Sequence, residues 1–365
     1  MRVLVLNGPN LDLLGTREPE VYGRSSLADL EKQIAAWGEQ LGVMTTSRQF
    51  NHEGDLVEAI HDAAGLDGII INPGALAHTS RSIGDAIRGV GVPAVEVHIS
   101  NVTRREAWRA TSLVSEACAR TIYGRGVDGY LAALRHLVNR SLVAFETIRY
   151  GPHPENVGDL RLPQESPVGL VVLVHGGLWR GEYERDTTEM LAIDLIRNGY
   201  ATWNIEYRRQ GRGGGWPGAP HDVLMALDFT RHLGAVAHLP KAIIGHSAGG
   251  HLGLWAAGRR RDQVGLVVGL AAVTDLAAMA SSGGVGAMDA RELLDSGAPA
   301  RIGAVPGKTL LIHGEVDDIV PVAQSTRLED TARVEVIAGL GHFALLDPTQ
   351  EPWPISVDTL RENLN

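Results

Sequence analysis

The strongest constraint on the fold is an arrangement that occurs twice along the chain. Short valine-, isoleucine- and leucine-rich runs alternate with helically spaced apolar residues, and polar residues of catalytic type fall just past the runs. In the first half these are Asn7-Gly-Pro-Asn10, Arg17, Tyr22, Asn72-Pro-Gly74, His78 and Glu96-Val-His98-Ile-Ser100. In the second they are His175-Gly-Gly177, Gly245-His-Ser247-Ala-Gly249, Asp317 and His342. A parallel α/β sheet gathers its ligands at the carboxyl ends of its strands, so two such sets call for two sheets and two sites.

A length of 365 residues suits two domains of about 100–200 residues each, and 44% hydrophobic content can fill two cores. The net charge of -10 argues against nucleic acid as a partner, so an anionic substrate must be caught by local arginines and backbone N–H groups. Cys118 is the only cysteine, which excludes an intrachain disulfide and a cysteine-based metal site and points to a reducing, cytoplasmic setting. The opening run Met1–Leu6 is too short for a signal peptide, and no apolar run approaches the roughly 20 residues of a membrane span. A soluble chain with small-molecule substrates is expected, with neither membrane nor nucleic acid as partner.

Strands are expected at Val3–Leu6, Val43–Ser47, Gly68–Ile71, Ala94–Val97 and Thr121–Tyr123. Ser26-Leu-Ala-Asp29 reads as a capping box opening a helix whose face is Leu27, Leu30, Ile34, Trp37 and Leu41. Leu131, Leu134, Leu137 and Val138 mark a last helix that closes the unit near Arg140. The boundary is placed at 142/143, giving domains 1–142 and 143–365. Gly151–Pro167, rich in Pro, Gly and charge, reads as a loop rather than a packed element. Further strands are expected at Leu170–Val174, Ala201–Ile205, Ala242–Ile244, Val264–Leu270, Thr309–Ile312 and Val334–Ile337, and Arg208–Gly218 reads as a mobile loop.

Asn10, Asn72 and His98 each follow or end a strand, which brings all three to one sheet edge. With Asn7–Leu11, Leu14–Gly23, Asn51–Gly54 and Glu96–Asn101, residues 2–140 resemble the type II 3-dehydroquinate dehydratases, which implies a flavodoxin-like parallel-sheet domain. Dehydrating a β-hydroxy ketone through an enolate needs a base, oxyanion donors and an acid for the departing hydroxyl. A phenol is a poor base at neutral pH unless a cation favours its anion, and Arg17, five residues before Tyr22, is the candidate cation. The resemblance implies that Tyr22 takes the proton, that Asn10 and Asn72 stabilise the enolate through a held water, and that His98, oriented by Glu96, protonates the leaving hydroxyl. It places the substrate carboxylate on backbone N–H groups near Ile99 and Ser100, and the hydroxyls on Arg109 and His78. It also implies a trimer-built dodecamer in which Asp85 reaches a neighbouring subunit's site, and no cofactor. The chain departs from the pattern at Asp12, where Asn is usual, and at Phe50, where Ser is usual. Arg105 and Arg109, taken alone, read as a solvated face.

Gly245-His-Ser247-Ala-Gly249 lies between a strand and a helical run, the context of a nucleophile elbow. Asp317 and His342 follow in the order of the α/β-hydrolases: His342 would deprotonate Ser247 and Asp317 would hold the imidazole. Asp318 and Asp275 are rival acids. Backbone N–H groups of Gly176, Gly177 and Ala248 form the expected oxyanion hole. His175–Trp179 together with Gly245–His251 resembles the carboxylesterases and arylformamidases over residues 146–365, implying an α/β-hydrolase domain that cleaves an ester or amide. His246 and His251 read as packing or capping residues, and Asp186 and Asp222 as solvated or capping carboxylates. No metal-ligand spacing and no glycine-rich phosphate loop is present in the sequence. The expectation is therefore a lyase–hydrolase fusion. The alternative is a first domain that has lost its chemistry, as Asp12 and Phe50 suggest, and serves as an oligomeric scaffold for active hydrolases.

Overall fold

The computed structural model describes residues 1–102, 105–142, 144–302 and 308–364, so the expected boundary residue Val143 lies outside the described residues. The chain divides into two compact units, Met1–Leu142 and Val143–Asn365.

In the first unit, strands β1 (Arg2–Asn7), β2 (Met44–Gln49), β3 (Gly68–Asn72), β4 (Ala94–His98) and β5 (Arg120–Tyr123) form a parallel sheet of order β2-β1-β3-β4-β5. The central strands are buried on both faces, which is why they read as unbroken apolar runs. Val3, Val5, Ile70, Val95 and Val97 face the helices Leu27–Gln40 and Asp128–Leu142, while Leu4, Leu6, Ile69 and Ile71 face Glu53–His61 and Arg81–Val90. The capping box forms as expected: Ser26 Oγ accepts from the Asp29 N–H, and the Ser26 N–H donates to the Asp29 carboxylate. Gly68 lets the last helix approach, since a Cβ there would stand 2.7 Å from a Leu137 methyl. The order reverses between β1 and β3, so the carboxyl ends of β1, β3 and β4 open a crevice for side chains of the loops that follow.

In the second unit, β6 (Glu146–Arg149), β7 (Val157–Arg161), β8 (Leu170–Val174), β9 (Ala201–Ile205), β10 (Lys241–His246), β11 (Leu266–Leu270), β12 (Lys308–Gly314) and β13 (Arg333–Ile337) form one sheet of order β13-β12-β11-β10-β8-β9-β7-β6. β7 runs antiparallel to both of its neighbours, β6 and β9, and the remaining pairs are parallel. Three expectations are corrected here. Gly151–Pro167 contains β7, paired on both sides, because its charges are neutralised: Asp159 binds Arg185 at 2.8 Å and Arg161 binds Glu189 at 2.6 Å. Arg208–Gly218 is tied down, with Arg208 bidentate on Asp222 at 2.8 Å and the Arg209 side chain wholly buried against Glu155 and Glu206. Asp222 is accordingly neither solvated nor a cap but a buried partner of that loop.

Candidate active sites

In the first unit, a cavity of about 70 Å³ is lined by Asn10, Arg17, Tyr22, Asn72, His78, His98, Ile99, Ser100 and Arg109. A larger hollow of about 480 Å³ shares Tyr22, Ile99 and Ser100 with it and adds Arg105. Asn10, with φ 68°, sits in the left-handed region that Asn tolerates, and its N–H donates to Asn51 Oδ1 at 2.9 Å. Asn51 also donates to Asp12, which is exposed and outside the cavity lining. At the end of β4, His98 donates Nε2–H to Glu96 Oε1 at 2.8 Å, leaving Nδ1 for the cavity. Glu96 is fully buried and also accepts from Ser112 at 2.7 Å and Thr121 at 3.3 Å, so its carboxylate is held on both oxygens. His78 donates Nδ1–H to the Thr111 carbonyl at 2.7 Å and stands 6.2 Å, centroid to centroid, from His98.

The cation on the Tyr22 oxygen is Arg105, whose guanidinium donates to it at 2.6 Å; Arg17 lies 5.4 Å from the ring centroid and bonds Glu18. Sequence spacing favoured Arg17 because it is near in the chain, whereas Arg105 arrives from 83 residues away. Arg109 lines the cavity and donates to Glu106 at 2.8 Å. Asp85 is exposed on the helix Arg81–Val90 and is not among the lining residues of this subunit's cavity. Tyr130 and Ser112, which no motif marked, complete the polar support: Asn72 donates to the buried Tyr130 hydroxyl at 3.0 Å.

In the second unit, Ser247 sits between β10 and the helix Ala248–Ala257 with φ 54° and ψ -118°, the strained turn of a nucleophile elbow. The turn is tight enough that a Cβ on Gly249 would collide with the Val174 and His175 carbonyl oxygens, and one on Gly245 would meet Gly249 O at 2.5 Å. His342 donates Nδ1–H to Asp317 Oδ2 at 2.7 Å. Its ring packs against His246, the neighbour of Ser247, at 4.6 Å between centroids. No hydrogen bond joins Ser247 Oγ to His342 among the described residues, a contact that substrate binding commonly tightens.

Asp317 Oδ1 accepts the N–H groups of Ile319 and Val320 at 2.9 and 2.8 Å. Burial pushes its carboxyl up, but hydrogen bonds from His313 and His342 outweigh that and hold it well below the usual carboxylate range. His313, overlooked in the sequence because it is buried inside β12, stands 3.3 Å from Asp317 Oδ2. The rival Asp275 instead caps the helix Leu276–Ser281, accepting from Ala278 N–H at 2.8 Å, and pairs with Arg301 and Arg327. Asp318 is exposed.

Gly176 lies against the nucleophile, since a Cβ on it would be 3.0 Å from Ser247 Cβ; Gly177 has φ 109°. His175 anchors this loop through ring nitrogens 2.7 Å from the Gly176 carbonyl and 2.7 Å from Glu206 Oε1. Glu206 is pushed up by burial, yet Arg209 and His175 pull it below its ordinary range. Among the described residues no group of three or more His, Cys, Asp or Glu could hold a metal ion, and no helix is long and apolar enough to cross a membrane.

Comparison with known proteins agrees with both folds. Residues 1–138 match the family model for class II dehydroquinases, and residues 159–331 match the model BD-FAE. A catabolic 3-dehydroquinase 1 of Neosartorya fischeri is 51% identical over 136 residues, 37% of this chain and 91% of that protein. The chain belongs to the class II dehydroquinase family. A 3-dehydroquinate dehydratase of Rhodopseudomonas palustris is 50% identical over 137 residues, again 37% of this chain and 91% of the relative. Beyond the dehydroquinase unit, the crystal structure of carboxyl esterase 2 from Tuber melanosporum superposes with TM-score 0.51 at 18% identity, covering 62% of this chain and 89% of that one. That likeness carries the α/β-hydrolase fold alone.

Proposed function

We propose that residues 1–142 dehydrate 3-dehydroquinate to 3-dehydroshikimate and that residues 143–365 form a serine hydrolase acting on an ester or amide. The observation that carries the first half is the meeting of Tyr22, held by Arg105, and His98, held by Glu96, in the lining of one cavity. The Arg105 guanidinium donates to the phenol oxygen that, in this reading, removes the α-proton. His98 then delivers a proton to the leaving hydroxyl. Asn10 and Asn72 face the developing enolate through a water, Ile99 and Ser100 take the carboxylate, and Arg109 and His78 take the hydroxyls. In the assembled trimer or dodecamer, Asp85 would complete a neighbour's site; sedimentation of the purified chain reads that state.

The second half rests on the Ser247 elbow with the His342–Asp317 pair. Ser247 attacks the acyl carbon, His342 accepts its proton, and the N–H groups of Gly176, Gly177 and Ala248 receive the oxyanion. The fusion suggests an acyl ester of a quinate-like hydroxy acid as substrate. Activity confined to unrelated acyl donors would count against that choice.

The deciding experiment follows enone absorbance as the purified protein meets 3-dehydroquinate. The wild type should generate the signal and Tyr22→Phe should abolish it; a silent wild type would favour the scaffold alternative. The position of Asp12 outside the cavity lining weighs against that alternative. For the hydrolase, a fluorophosphonate should label Ser247, and Ser247→Ala should remove the label.

A further inference from the structure

We propose that Tyr130 is a positioning residue for the dehydration, holding the Asn72 carboxamide so that a nitrogen-bound hydrogen, and not an oxygen lone pair, is offered to the water that bridges it to the enolate. The inference rests on the reading of the first unit as a dehydroquinate dehydratase. The direction of the hydrogen-bond chain is set from one end. The Gly74 backbone N–H can only donate, and it meets one terminal atom of the Asn72 side chain at 3.2 Å, so that atom is Oδ1. The other terminal atom is then Nδ2, which donates to the Tyr130 hydroxyl at 3.0 Å. Having accepted there, the phenol gives its own hydrogen to Asn7 Oδ1 at 2.7 Å.

Tyr130 is fully buried, and burial drives its phenol far above the ordinary range, so it stays neutral and can both accept and donate. A carboxamide nitrogen carries two hydrogens. Tyr130 takes one, and the other is left for an oxygen in the cavity that Asn72 lines. A rotated carboxamide would turn a lone pair toward that water and take a hydrogen the enolate needs. Tyr130 comes to this place on the helix Asp128–Leu142, whose close approach to β3 Gly68 permits.

The test is a double-mutant cycle of Tyr130→Phe and Asn72→Ala in the full chain, read as kcat/KM for enone formation. Tyr130→Phe keeps the ring and removes only the hydroxyl, so a loss of about 2–13-fold is expected, the size of one net hydrogen bond. Added to Asn72→Ala, it should lower the rate less than about twofold further. Losses that multiply, or a Tyr130→Phe enzyme as active as the wild type, would overturn the proposal while leaving the dehydratase assignment intact. The same cycle in calorimetric Kd for 3-dehydroquinate, on a Tyr22→Phe background, reads the effect without turnover. A wild type that neither binds nor converts 3-dehydroquinate would sink the functional reading, and the role of Tyr130 with it.

Discussion

Arg105 illustrates how a single side chain changes the account of a site. A hydrogen bond to a charged group contributes roughly 1.5–3 kcal/mol, so Arg105→Ala should lower kcat for enone formation on the order of 10–100-fold, with Arg105→Lys recovering part of it. A loss under about threefold would reduce Arg105 to a bystander. His313 is the counterpart in the hydrolase. Its Nε2–H donates to the Val320 carbonyl at 2.8 Å and lies 3.3 Å from Asp317 Oδ2, fixing the loop that carries the acid, so His313→Ala should slow fluorophosphonate labelling of Ser247 about tenfold while the enone reaction is unchanged. Asn10, Asn72, His98, Ser247, Asp317 and His342 stand in local motifs at or just past strand ends, and Tyr22 in a motif on the loop after β1, so all were legible as candidates. Arg105 and Tyr130 were not, since their partners lie 83 and 58 residues away, and His313 was passed over as a residue in the body of β12.

At the scale of elements, β7 shows why a strand can hide from a reading based on hydrophobic alternation. Its sequence Val157-Gly-Asp-Leu-Arg161 looks like a loop until Arg185 and Glu189 are brought alongside to neutralise it. Removing one member of a buried pair strands its partner, so Glu189→Ala should destabilise the hydrolase unit by roughly 3–5 kcal/mol, seen as an earlier transition in denaturant. Strand β8, apolar throughout, and β9, which buries Thr202 and Asn204 among apolar neighbours, match their expected limits. The elbow between β10 and its helix makes the complementary demand, for the absence of a side chain. Gly249→Ala should abolish labelling of Ser247, because the obstruction is backbone and cannot rotate away; retained labelling would show that the turn is looser than its geometry implies.

Across the whole molecule, the hydrolase unit carries two buried histidines whose environment opposes charge. Burial depresses His251 to about 4, and burial together with His342 takes His246 well below its ordinary value. The unfolded chain protonates these imidazoles near pH 6.5 and the folded one resists until lower pH. Their contribution is therefore fully present above about pH 6.5 and is lost as pH falls toward 4. Two thermal transitions are expected, and the one assigned by Ser247 labelling should fall across that window. His251→Phe should flatten the dependence, and an unchanged slope would remove His251 from the explanation.

Order along the chain determined the two α/β units, their strand-end chemistry and the sequence of Ser, Asp and His, because these depend on short-range patterns of apolar and turn-forming residues. The tertiary structure alone decided which cation reaches Tyr22, how Asn72 is turned and why a charged segment can lie inside a sheet. Each of those depends on groups brought together by the closure of long loops, where the energy lies in desolvation and pairing rather than in any local pattern.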